Sequence, residues 1–396
     1  MKTNTPLLPR SHSSRAYKFA VCLIVLGANI VFGILTSANT TRPANYLQNV
    51  AMPPARDTSG ISSNGLIQTP DGSLYWTVAA PDGGSTSAGQ GQLIRFTPDG
   101  QAQSLHVFDG EDGAQPTGRL LYAADGNIYG VTAEGGEHGA GTIYRINPSG
   151  ANFEVVHSFS PQEGRSPSGG LVADADGNLY GTADLGGSGY GTAFAISVDG
   201  RLTVLHDFSG TDGSDPSSGL IFGQDGFLYG TAEEGGTASK GTVFSMSVTG
   251  SSFQILHNFD GPDGASPECG LVQTVDGSFF GAARKGGASS DGVLFKILPD
   301  GNGFALVHSF TGYNFVDPTD SDGANPISII TGGDGYLYGA TARGGRRDDG
   351  VIYRLNPQTG QTDILFSYRK SEGNPAAGLL AISGTVYMPV VSGKRV

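Results

Sequence analysis

Cysteine is nearly absent from this 396-residue chain: Cys22 and Cys269 are the only two. Cys22 lies in an apolar N-terminal run, which excludes a disulfide framework. Cys269 reads as a buried thiol. Basic residues are also scarce, 23 against 36 acidic, for a net charge of −13. Residues 1–40 hold four of the basic residues and no acid, which leaves 19 against 36 in the rest, a balance of −17. Such a field repels a phosphate backbone and excludes nucleic acid as a partner. After residue 40 no segment carries the apolar period of an amphipathic helix, so helical solenoids are excluded as well. Several catalytic signatures are missing. The Gly-Gly loops lack Gly-Lys-Ser/Thr, no nucleophile elbow is present, and no acidic stretch has the spacing of an EF-hand loop.

Two features are abundant instead. The first is apolar length at the N-terminus. Lys2, Arg10, Arg15 and Lys18 precede a run without charge from Phe19 to Ala38, ending in Thr36-Ser37-Ala38. The run is close to the ~20 residues that span a bilayer. It reads as an N-terminal hydrophobic helix, and both a cleaved signal peptide and a retained anchor over 1–38 fit it. Either places the remainder outside the cytoplasm, in the cell envelope or beyond it, with membrane contact only through this segment. Residues 39–60, polar and Pro-bearing, read as a linker.

The second is glycine, 64 residues placed at fixed offsets. Asp225-Gly-Phe-Leu-Tyr-Gly-Thr231 recurs, with small changes, from Asp71, Asp125, Asp176, Asp276 and Asp334. The steps are 54, 51, 49, 51 and 58 residues. Asp-Gly between apolar residues predicts a type I′ hairpin turn, with Gly72, Gly126, Gly177, Gly226, Gly277 and Gly335 at its positive-φ position. The fourth copy predicts four strands: a from Gly219-Leu220, b over Phe227–Thr231, c from Gly241-Thr242, and d over Phe253–Phe259. Four short strands in ~50 residues make one propeller blade. Six units are complete, and a seventh starts at Gly378-Leu379. Tyr46 to Val50 is a candidate lone strand that would complete it. The expectation is an all-β propeller of four-stranded antiparallel blades over 61–396, seven in number, with six as the alternative.

The Asp-Gly-x-Leu-Tyr-Gly-Thr heptads, the Gly-Gly…Gly-Thr-Val-Phe segments and the Leu-His-x-Phe strands closely resemble the GloVer-type tandem repeat family, over about residues 60–390. The resemblance implies an exported surface protein with no general activity. The C-terminal anchors of that family have no counterpart in Val390 to Val396.

Candidate chemistry lies at recurrent positions. His106, His157, His206, His257 and His308 each sit in a Leu/Val-His-x-Phe strand, and the sixth unit has Phe366 there. A ring of ligands or bases would not absorb that exchange, so these histidines read as structural, packed between blades and hydrogen-bonded. Acidic turn pairs, such as Asp112-Gly113, Glu163-Gly164 and Asp212-Gly213, precede a proline in each copy. Turn formation accounts for them without an ion. No cofactor or metal is expected, Ca²⁺ being the one ion considered. What varies between copies is the b–c loop and the longest d–a loop. Candidate ligand contacts there are Glu137, His138, Tyr190, Glu234, Arg284, Lys285, Tyr313, Phe315, Arg346, Arg347 and Asp349. The b–c and d–a loops share one face. The leading expectation is a non-catalytic scaffold that binds an extracellular or envelope glycan, peptide or protein there. The alternatives are a polysaccharide-acting propeller enzyme, lyase or glycosidase, and a structural cell-envelope module. Clustered Arg and carboxylate side chains at the channel mouth would favour the enzyme.

Overall fold

The computed structural model describes residues 24–25, 30–31, 47–52, 65–80, 90–313, 321–369, 374–375, 379–382 and 385–391. Six consecutive blades follow the chain, each pairing a–b–c–d in antiparallel order. In blade 4 the strands are Leu220–Phe222, Leu228–Ala232, Thr242–Met246 and Phe253–Asn258. Blade 1 runs from Ile67–Gln68 to Ala102–Val107, and blade 6 from Ala324–Thr331 to Thr362–Ser367. Strand a of one blade packs on strands a and b of the blade before it, so a is innermost and the mostly half-buried d is outermost.

Each letter of the heptad has a packing reason. Leu228 and Tyr229 point to opposite sides of blade 4, as the two-residue period requires. Leu228 joins the core slice shared with blade 3, and Tyr229 the slice shared with blade 5. Gly230 pairs across the sheet with Phe244, and a Cβ on it would stand 2.6 Å from Phe244 Cζ. Glycine therefore makes room for the aromatic ring of strand c. Tyr229 Oη donates back to Asp225 Oδ2 at 2.6 Å, and Tyr129 and Tyr338 do the same to Asp125 and Asp334. The core is a series of such slices between neighbouring blades, the last of which holds Leu379 against Tyr338, Ile352 and Tyr368 of blade 6.

Several expectations need correction. The a–b turn is not type I′. Gly226 N–H donates to Gly223 O and Gly223 N–H to Phe227 O, with φ +82° at Gly226 and no positive φ at Asp225. That is a type I turn closed by a glycine bulge. Asp225 stays right-handed because its Oδ1 accepts the Phe227 N–H and its Oδ2 the tyrosine hydroxyl. Gly-Leu opens strand a in blades 4 and 5, but in blades 2 and 6 the strand starts at Ala114 and Ala324, directly after the acidic turn. The chain there stays within pairing distance of strand b from the turn onward.

The count of seven such blades is not supported; six are found. Beyond them, Thr385–Val391 pairs antiparallel with Leu380–Ile382 and Asn374–Pro375, and parallel with Leu47–Met52. The N-terminal strand enters this sheet in the same direction as its neighbour, so the sheet is mixed and is not a four-stranded antiparallel blade. It lies beside strands a and b of blade 6. Leu47–Met52 takes in residues 47–50 of the candidate lone strand Tyr46 to Val50, inside the stretch 39–60 read as a linker. The expected N-terminal hydrophobic helix is not supported either: Ile24–Val25 pairs antiparallel with Ile30–Val31, β-branched residues favouring the extended form. The rest of residues 1–38 lies outside the described residues. Among the described residues no helix is long and apolar enough to cross a membrane.

Candidate functional site on the b–c and d–a loop face

Glycine and proline build this face. In blades 2, 4 and 5 the entering d–a turn is bonded to the blade's own b–c loop: Gly136 N–H to Gly110 O at 2.9 Å, Gly236 N–H to Gly210 O at 2.9 Å and Gly287 N–H to Gly261 O at 3.0 Å. Two residues past the acidic Gly, the chain adopts positive φ at Gln115, Ser166, Asp215, Ser266 and Asn325, each just before a proline. In each case the N–H donates to the b–c loop of the preceding blade: Gln115 to Gln90 O, Asp215 to Tyr190 O, Ser266 to Lys240 O. The proline ring then packs on the glycine that opens the preceding strand c. A Cβ on Gly241 would meet Pro267 Cδ at 2.5 Å. The acid-Gly-x-x-Pro signature is thus a latch between blades.

The histidines sit at the outer wall of this face. Nε2 of His106, His206, His257 and His308 lies 2.6, 3.1, 2.7 and 2.9 Å from Asp112, Asp212, Asp263 and Asp322, and that of His157 lies 3.3 Å from Glu163. The same carboxylates accept a backbone N–H at the turn, as Ser209 to Asp212. These bonds hold the Glu163 and Asp322 carboxyls below the usual range, against the opposing effect of burial. His106, His206 and His257 stack on Phe153, Phe253 and Phe304 of the next blade at 3.5–3.6 Å. The residue after His157, His206, His257 and His308 anchors a b–c loop, as Asp207 Oδ1 accepts Ser188 N–H and Ser309 Oγ accepts Ala288 N–H. Cys269 Sγ donates to Pro326 O at 3.0 Å, and burial raises its pKa.

Charge gathers near the inner end of strands b in blades 3 to 5. Asp184, Glu233 and Arg284 occupy equivalent positions, where blades 1, 2 and 6 have Ala79, Ala133 and Ala342. Asp215 and Glu268 join them from the latches. Arg284 Nη1 contacts both carboxylate oxygens of Glu268, at 3.0 and 3.1 Å. Asp184 accepts from Ser168 Oγ. Burial, with the Asp215 charge added, pushes Asp184 up to about 7. Burial and the charges of Glu234 and Glu268 push Asp215 up to about 6. Burial, Glu268 and Asp215 raise Glu233 well above the carboxylate range, with Lys285 opposing. Asp215 Oδ1 is buried without a hydrogen-bond partner. Three carboxyls able to hold a proton near neutrality beside a guanidinium offer both donors and acceptors to a polar ligand.

The expected ligand contacts divide into three groups. Glu234, Arg284 and Lys285 belong to this cluster; Glu234 bridges through its backbone to Ser214, and Lys285 Nζ lies 3.3 Å from Ser266 Oγ. Glu137 and His138 are exposed at the blade 2 loop tip, and Tyr190 covers Gly210 at the blade 3 tip, with a Cβ there 2.8 Å from its ring. Arg346 and Arg347 are exposed and Asp349 half-buried at the blade 6 tip; of the loop-tip residues, Tyr190 reaches the cluster through its carbonyl, which accepts Asp215 N–H at 3.1 Å. Tyr313 is half-buried, and Phe315 lies outside the described residues. Asp184, Asp215, Glu233 and Glu268 were not among the expected contacts. An alignment of the repeats exposes two of them, since charge replaces alanine at one strand position in three consecutive copies. Among the described residues no group of three or more His, Cys, Asp or Glu side chains is arranged to hold a metal ion.

Solved structures share the fold at low identity. A puromycin hydrolase matches at TM-score 0.52 and 15% identity, over 82% of this chain and 49% of its own. The extracellular domain of a one-component system from B. thetaiotaomicron matches at 0.51 and 13%, over 83% and 38%. A structure of the nidogen/laminin complex matches at 0.44 and 12%, over 77% and 97%. This chain thus spans about half or less of the first two. No curated protein matches the sequence. The Gloeobacter/Verrucomicrobia repeat matches residues 61–274 and 188–395, the span of the blades and their heptads, and the chain belongs to that family.

Proposed function

We propose that this propeller is a non-catalytic, extracytoplasmic scaffold that binds a hydroxyl-rich ligand, a glycan, on its b–c and d–a loop face. The observation that carries this reading is the cluster of Asp184, Asp215, Glu233, Glu268 and Arg284 on the three adjacent blades 3 to 5. Carboxyls that hold protons near neutrality donate to sugar oxygens, while ionised partners accept from sugar hydroxyls. The apolar N-terminal segment supports export. The test is a screen of the full chain against glycans and envelope polymers, with and without Ca²⁺. A hit should weaken at least tenfold in Glu233→Gln and in Arg284→Ala. Binding that ignores both variants, or binding only to peptides or proteins, rejects the site or the ligand class. Failure of every ligand leaves a structural envelope module.

A second reading has support from the same groups, since clustered arginine and carboxylate side chains are the feature expected of a polysaccharide-acting enzyme. A protonated carboxyl beside an arginine is also the equipment of a general acid. Incubation of the chain with the bound polysaccharide distinguishes the two: new reducing ends or unsaturated products that vanish in Glu233→Gln would make it a glycosidase or lyase. We further infer that the mixed sheet joining both ends of the chain closes the ring as an atypical seventh blade, because it lies beside blade 6 and draws one strand from before blade 1.

A further inference from the structure

Alignment of the innermost strands leaves one position at which a single blade differs in kind. The residue before the inward Leu66, Leu120, Leu171, Leu220, Leu271 and Ile329 is Gly65, Arg119, Gly170, Gly219, Gly270 and Ser328. Glycine is required where inner strands meet backbone to backbone. A Cβ on Gly170 would lie 2.7 Å from Arg119 O, and one on Gly219 would lie 2.2 Å from Gly169 O. Gly65 gives way to the arginine itself, since a Cβ there would touch Arg119 Cγ at 3.5 Å. Arg119 therefore projects at mid-strand from the innermost strand of blade 2, beside the axis.

The surroundings of Arg119 are unusual. The residue is exposed to solvent, yet the enclosing protein lowers its guanidinium pKa, with no carboxylate contributing. Its Cγ, Cδ and Nε lie 3.5, 3.6 and 3.9 Å from where a Cβ on Gly65 would stand, so the side chain runs along the innermost strand of blade 1 and keeps its exposure to solvent. Among the described residues nothing forms an ion pair or hydrogen bond with its guanidinium. At the same level, Gly170, Gly219 and Gly270 have φ of +82°, +78° and +70°, and their N–H groups meet no backbone acceptor among the described residues. Ser328 Oγ, at the equivalent position in blade 6, is buried without a partner. Arg119 thus adds a guanidinium to a level otherwise lined by these N–H groups, the Ser328 hydroxyl and backbone carbonyls such as Gly169 O and Ser218 O. Guanidinium and left-handed glycine N–H groups are both good partners for oxyanions.

We propose that Arg119 makes the axial channel an oxyanion site, separate from the charged cluster of the loop face. It takes a small carboxylate, sulfate or phosphate, either free or carried on a larger ligand. The test titrates the full chain with sodium sulfate, phosphate, acetate and glucuronate against sodium chloride at constant ionic strength, by calorimetry and thermal melts. At least one oxyanion should bind the natural chain saturably. Arg119→Gln should weaken it at least tenfold, and Arg119→Lys by only a few-fold. General salting effects raise all melts equally, so the comparison between variants carries the result. Arg119→Gly, the residue that blades 1, 3, 4 and 5 hold here, is a second loss variant should Arg119→Gln fold poorly. Tighter binding of glucuronate than acetate would mark the anion as part of a sugar. Equal binding in Arg119→Gln, or no saturable binding by any of the four anions, overturns the proposal.

Discussion

Gly226 shows how much one residue settles. A Cβ there would meet nothing within 4 Å, so space does not select glycine; φ of +82° does. A β-branched residue in that region costs about 1–3 kcal/mol. Gly226→Val should lower the melting temperature, and Gly226→Asn, which tolerates left-handed backbone, should lower it less. Equal melts for both would contradict the turn geometry. His206 offers a second case. Its ring stacks on Phe253 at 3.6 Å and bonds Asp212. Phe in its place keeps the stack and loses one bond, about 1–3 kcal/mol. Asp in its place sets a second carboxylate against Asp212 and forfeits the stack, and should cost more, about 3–5 kcal/mol. A thermal melt ranks the two, and equal damage would mean that the stack contributes nothing.

At the scale of elements, the loops of blades 3 to 5 make stability depend on pH. Asp184 and Asp215 hold protons in the folded state up to about 7 and 6. The unfolded chain releases them near pH 4, at about the ordinary aspartate value. Their contribution is therefore complete below about pH 4 and is lost as pH rises through 6 to 7. Asp71 acts oppositely. Hydrogen bonds from Thr69 and Ser73 lower it to about 2, so its contribution is present above about pH 4 and is lost toward pH 2. The melting temperature should fall between pH 5 and pH 8, and Asp184→Asn should flatten that fall. An unchanged slope in the variant would show that Asp184 does not titrate there. The repeat period announced the hairpins, because Asp-Gly, Leu-Tyr and Gly-Thr are local signals. It did not announce the latch, since a positive φ at Gln115, Ser166, Asp215, Ser266 and Asn325 belongs to no residue type and arises only where the preceding blade presents a carbonyl.

At the scale of the whole molecule, the sheet that joins both ends of the chain is the point of greatest leverage. Removal of residues 1–53 deletes Leu47–Met52 and bares the edge of Thr385–Val391. An unpaired edge invites association between copies. The truncated chain should melt earlier and form larger species in light scattering. A monomer with the original melting temperature would show that the strand is dispensable to the ring.

By itself the sequence determined that the chain is a file of antiparallel four-stranded units, because turn chemistry and side-chain alternation act within ~50 residues and need no distant partner. It also determined the family, through motifs that recur in order. Which charges meet was decided only by the tertiary structure. Asp184 and Asp215, or Glu233 and Glu268, belong to separate turns of the repeat, and only the stacking of one blade on the next puts them together out of water, where burial and mutual repulsion change their affinity for protons. The direction of the last strand pair was decided there too: nothing local in Leu47–Met52 says whether it runs with or against Thr385–Val391.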